Sequence, residues 1–136
     1  MLATDRAAYA EMPADTLKGI TGISGLHDLE PVLLSHVNEP LQLTEASAER
    51  NSPVRQPLPT SPPAALLAHG GLESDEYSRQ ALAYAEALRK AGDEPVSMGI
   101  EGHHHFSVLN AFAKPDHRFC CAVCLLSAIV FSYAWL

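Results

Sequence analysis

Positive charge is scarce in this chain: nine Lys and Arg stand against sixteen Asp and Glu, for a formal net charge of -7 and a pI near 5.4. Nucleic-acid binding draws on clustered basic side chains that neutralise phosphates, so no nucleic-acid partner is expected. Acidity by itself names no partner and mainly favours solubility. Cysteine is scarce as well. The three present, Cys120, Cys121 and Cys124, crowd into one apolar run, and an odd, clustered count is not a disulfide framework. A reducing compartment follows as the expectation, and with it a cytoplasmic location. The opening Met1-Leu2-Ala3-Thr4-Asp5-Arg6 lacks the basic start and long apolar stretch of a signal peptide.

The 136 residues suffice for one small domain. An Ala-rich start over residues 1–15 reads as a helix end running into Pro13. Residues 19–24 alternate as a strand and end in the turn pair Ser24-Gly25. A helix is expected from Leu29 to Val37, and a second from Thr44, its N-cap, to Arg50. Pro53, Pro57, Pro59, Pro62 and Pro63 then predict an extended connector. The apolar run Ala64-Ala65-Leu66-Leu67-Ala68 suits a strand buried on both faces of a parallel sheet.

Ser74 can cap the next helix, and Asp75 and Glu76 suit its positive N-terminal end. Tyr77, Ala81, Tyr84, Leu88 and Ala91 fall on one stripe, and Gly92 suits the C′ position. Residues 95–100 alternate as a strand, and a short helix is expected over Ser107–Ala113, before Pro115. From residue 64 the order is therefore strand, helix, strand, helix: the α/β class, a parallel sheet flanked by helices.

In such sheets the functional loops leave the carboxyl ends of the strands, and Glu73 and His105 both follow one. A histidine titrates near neutrality and can serve as general base, and a carboxylate fixes its tautomer. Glu73 and His105 are the candidate catalytic pair; the plainer reading is a surface acid and a half-buried loop histidine. His103-His104-His105 invites a metal reading. Successive side chains of an extended segment point to opposite faces, so only His103 and His105 could share an ion, and no further ligand set is evident. Neither metal nor cofactor is expected. Cys121-Ala122-Val123-Cys124 lacks the second pair of a zinc site and reads as incidental.

The stretch Gly70-Gly71-Leu72-Glu73-Ser74-Asp75-Glu76-Tyr77-Ser78-Arg79-Gln80, followed by His105-Phe106, resembles kynurenine formamidases (arylformamidases) and related α/β-hydrolase esterases. Gly22-Ile23-Ser24-Gly25-Leu26-His27-Asp28-Leu29-Glu30-Pro31 resembles the family's segment after the sixth strand. The likeness implies the C-terminal half of an α/β-hydrolase, with Glu73 as triad acid after the seventh strand and His105 as triad histidine after the eighth. It implies a partial hydrolase domain over residues 1–117, in which about 26–60 form a lid-like connector. The family's nucleophile elbow, Gly-x-Ser-x-Gly, does not occur in the sequence, and Ser24 lacks its spacing. The expectation is a fragment, truncated before the elbow and inactive alone, of a serine hydrolase for a small-molecule ester or formamide. Its partner would be an N-terminal hydrolase half. A non-catalytic remnant that binds a membrane or a partner, or one subunit of a split hydrolase, is the alternative.

The tail, residues 118–136, stands apart: no charged residue occurs from Phe119 to Leu136. It reads as an altered terminus, as a terminal helix meant for the core, or as a membrane anchor flanked by Lys114 and Arg118 with Tyr133 and Trp135 at its far end.

Overall fold

The computed structural model describes residues 16–59 and 62–132. The helix end expected before Pro13 lies outside these residues. Three parallel strands, β1 (Gly19–Ile23), β2 (Ala64–Gly70) and β3 (Val96–Ile100), form one sheet in the order β1-β2-β3. Ile23 pairs with Ala68 on one side of β2, and Gly70 with Ile100 on the other. All three strands therefore end on the same edge.

β2 is central and apolar on both faces, and its period-two alternation divides the core. Ala65 and Leu67 face Ala81, Tyr84, Ala85 and Leu88 of helix α4 (Asp75–Lys90). Leu66 and Ala68 face the other way, onto Met98, Ile100, Val108, Ala111 and Phe119. Phe119 belongs to helix α5 (Arg118–Ser132), where composition sets the tail apart, yet it is 0% exposed. Ala122, Val123 and Leu126 continue that contact along α5. Among the described residues no helix is long and apolar enough to cross a membrane.

α4 ends as its sequence predicts. Gly92 takes φ +98, its N–H reaches the Arg89 carbonyl, and Asp93 N–H reaches that of Leu88, a Schellman closure. Its start differs in detail: Ser74 holds the N-cap position, but its side chain makes no capping bond.

The segment between β1 and β2 is built of short pieces. The helix expected over Leu29–Val37 is instead two single turns, α1 (Glu30–Leu33) and α2 (Asn38–Leu41). Ser35 interrupts them: its hydroxyl turns back to the Val32 carbonyl, offering the chain an alternative to continued helix. α3 (Glu45–Asn51) begins in a capping box in which Thr44 and Ser47 each accept the other's backbone N–H. The connector is not extended throughout, since Pro53–Arg55 form a 3-10 turn that Pro53 opens with its fixed φ. The helix expected at Ser107–Ala113 is a 3-10 run, Val108–Ala113.

Candidate active site

The turn after β2 is tight because β3's outgoing loop crosses directly over it. A Cβ on Gly70 would lie 2.4 Å from the His103 carbonyl oxygen, so no side chain fits there. Gly71 N–H donates to the Ile100 carbonyl at 2.8 Å, and Leu72 N–H to that of His103 at 2.9 Å. Gly102, at φ +73, turns the second loop back over the first. These bonds fix the two loops to each other before any side chain is considered.

On this scaffold Glu73 turns back toward the strand ends, and its side chain is 2% exposed. His105 Nδ1–H donates to Glu73 Oε1 at 2.6 Å, across 32 residues of sequence. Glu73 Oε2 accepts from Gly70 N–H at 2.6 Å and from the Ser24 hydroxyl at 2.8 Å. The His105 side chain, at 46% exposure, faces outward over that buried carboxylate. The Tyr77 ring lies 5.3 Å from the imidazole and Phe106 packs edge-on at 5.3 Å. With Nδ1 committed to the acid, Nε2 is the nitrogen that can exchange a proton with an outside group.

The two residues singled out from sequence are thus in direct contact. The other histidines go elsewhere. His103 Nδ1 meets the Glu101 carbonyl at 2.8 Å, and His104 Nδ1 accepts from Phe106 N–H at 3.3 Å. No cluster of three or more His, Cys, Asp or Glu that could hold a metal occurs among the described residues. The three cysteines are free thiols on α5.

Two residues beside the pair carry more than their sequence context discloses. Ser24, just past β1, is buried and bonds the acid. Gln80, also buried, accepts from His27 N–H at 2.7 Å and Asp28 N–H at 2.8 Å, and donates to Glu76 at 2.9 Å. It ties the loop after β1 to α4. His27 stacks on Tyr84 at 4.5 Å, and burial pulls its pKa down from the ordinary 6.5 to about 4. No local signal marks the contacts that tie Ser24, His27 and Asp28 to Glu73 and Gln80, because they join segments far apart in the sequence.

A parallel sheet with helices on both faces, and an acid and a histidine in contact at its carboxyl edge, give the chain an α/β architecture consistent with part of an α/β-hydrolase. It is similar to kynurenine formamidases in particular: 33% identical over 121 residues to that of Danio rerio and 31% over 123 residues to that of Salmo salar. These alignments take in 86% and 87% of this chain but 41% of each relative, so the chain spans about two fifths of their length. A solved structure of a thioesterase-like protein from Silicibacter superposes with a TM-score of 0.61 at 25% identity, over 76% of this chain and 37% of that one. No protein-family profile matches the sequence.

Proposed function

We propose that this chain carries the acid–base half of a serine hydrolase acting on formamide or ester bonds, the first of these being the chemistry in the name of its kynurenine formamidase relatives. The observation that carries the reading is the 2.6 Å bond from His105 to the buried Glu73. In the reaction, His105 Nε2 takes the proton of a serine hydroxyl as its oxygen adds to the substrate carbonyl. Glu73 holds the Nδ1–H tautomer and stabilises the imidazolium. The same proton then passes to the leaving amine or alkoxide, and water repeats the cycle on the acyl-enzyme.

Within these 136 residues no Gly-x-Ser-x-Gly supplies that serine. Ser24 is a poor substitute, since its hydroxyl donates to the acid rather than to the base. The chain by itself is therefore expected to be inactive, with the nucleophile coming from an N-terminal hydrolase half. Labelling with a fluorophosphonate probe tests this. The chain alone should not react. Mixed with the N-terminal half of a kynurenine formamidase carrying its elbow serine, it should restore labelling and formamide hydrolysis, both lost in His105→Ala. Labelling of a serine in the isolated chain would overturn the proposal.

A further inference from the structure

We propose that Ser24 is a positioning residue that holds the Glu73 carboxylate in the plane that receives His105, an inference that rests on reading Glu73 and His105 as the acid–base pair. The three strands end side by side, and each contributes one residue at its carboxyl end: Ser24 after β1, Glu73 after β2, His105 in the loop after β3. Ser24 N–H is pinned to the Ala68 carbonyl of β2 at 2.7 Å, which aims its side chain across the strand ends.

The geometry of the acid explains why it needs a second tie. A glutamate carboxylate sits on a terminal torsion with broad, shallow wells, so a single hydrogen bond leaves its plane free to rock. Here both donors reach the same oxygen, Oε2: Gly70 N–H at 2.6 Å and Ser24 Oγ–H at 2.8 Å. Two donors converging on Oε2 fix the carboxylate plane and leave Oε1 facing His105 Nδ1 at 2.6 Å.

The backbone gives independent support. Ser24 has φ +48, in the left-handed region that costs a residue with a Cβ about 1–2 kcal/mol. Glycine would adopt that conformation freely, and it stands at the next position, Gly25. A serine at the strained position makes sense through what glycine lacks, the hydroxyl on Glu73.

The test is NMR of the full chain labelled with 15N-histidine, following the His105 Nδ1–H proton bonded to a carboxylate. Glu73→Gln and His105→Gln assign it. Ser24→Gly removes the hydroxyl while relieving the backbone, so it should fold at least as well yet lose the slowly exchanging Nδ1–H signal. Ser24→Asn, which tolerates the left-handed φ and keeps a donor, should retain it. A signal unchanged in Ser24→Gly overturns the role of Ser24. A signal absent from the unsubstituted chain, or indifferent to Glu73→Gln, instead refutes the acid–base pairing on which the inference rests.

Discussion

The carboxyl edge of the sheet and the segment that crosses from β1 to β2 are held by different forces. At the edge, backbone bonds lock the two loops together and the key carboxylate is almost wholly buried. In residues 30–56 the helices are four, four and seven residues long, and each buries at most one side chain: Val32 in α1, none in α2 and Ala48 in α3. One guanidinium gathers that segment: Arg55 reaches Asp28, Glu30 and Glu49 at the surface, and those bonds raise its pKa further. Ser52 adds a buried tie, accepting from Leu29 N–H and donating to the Ala48 carbonyl. Charge pairs in water are screened and contribute little individually, whereas a buried carboxylate with three donors is committed to one geometry. Three donors hold the Glu73 carboxylate, whereas the crossing segment is held largely by ion pairs at its surface.

The largest effect should come from the edge. In the complemented enzyme, His105→Ala should lower kcat by about 10⁴-fold or more, and Glu73→Ala by roughly a hundredfold less than that, measured as initial rates of formamide hydrolysis. Gly70→Ala should be the most disruptive change to folding. Its Cβ would meet a backbone oxygen that cannot move aside, and a loss of about 3 kcal/mol is expected in urea unfolding. Gln80→Leu strips two backbone N–H groups of their acceptor, a loss of about 2 kcal/mol that should appear as raised hydrogen exchange at His27 and Asp28.

His27 adds a pH dependence. The folded chain keeps it neutral down to about pH 4, while the unfolded chain protonates it near 6.5. Its contribution is complete above 6.5 and is lost as the pH falls toward 4, roughly 3 kcal/mol in all. His27→Phe, which keeps an aromatic ring against Tyr84, should flatten that part of the unfolding curve relative to the unsubstituted chain. The smallest effect belongs to the crossing segment. Arg55→Met or added salt should raise exchange across residues 30–56 and leave the His105 Nδ1–H signal in place. Equal loosening at both places would erase the contrast between the two regions.

What could be read from sequence follows the range of the forces. The helix end at Gly92, the N-cap at Thr44 and the apolar run of β2 are local, and each stands where its residues predict. That Glu73 and His105 come into contact follows from their places after two strand ends of one sheet. The interruption at Ser35 and the 3-10 turn at Pro53 turn on single side chains within a weakly periodic stretch. The Ser24–Glu73 bond spans 49 residues and depends on strand order, which no local pattern encodes. Phe119 shows the same limit: a charge-free tail looks detached in composition, while its first turn packs onto the sheet face formed by Leu66, Ala68, Met98 and Ile100.

The most direct test of the central claim compares two acids two residues apart. Glu73 is buried against His105, and Asp75 is exposed in the first turn of α4. Formamide hydrolysis by the complemented chain should fall steeply in Glu73→Ala and stay within about twofold of the unsubstituted rate in Asp75→Ala, as expected for a surface change away from the reacting groups. A larger loss from Asp75→Ala than from Glu73→Ala would contradict the account.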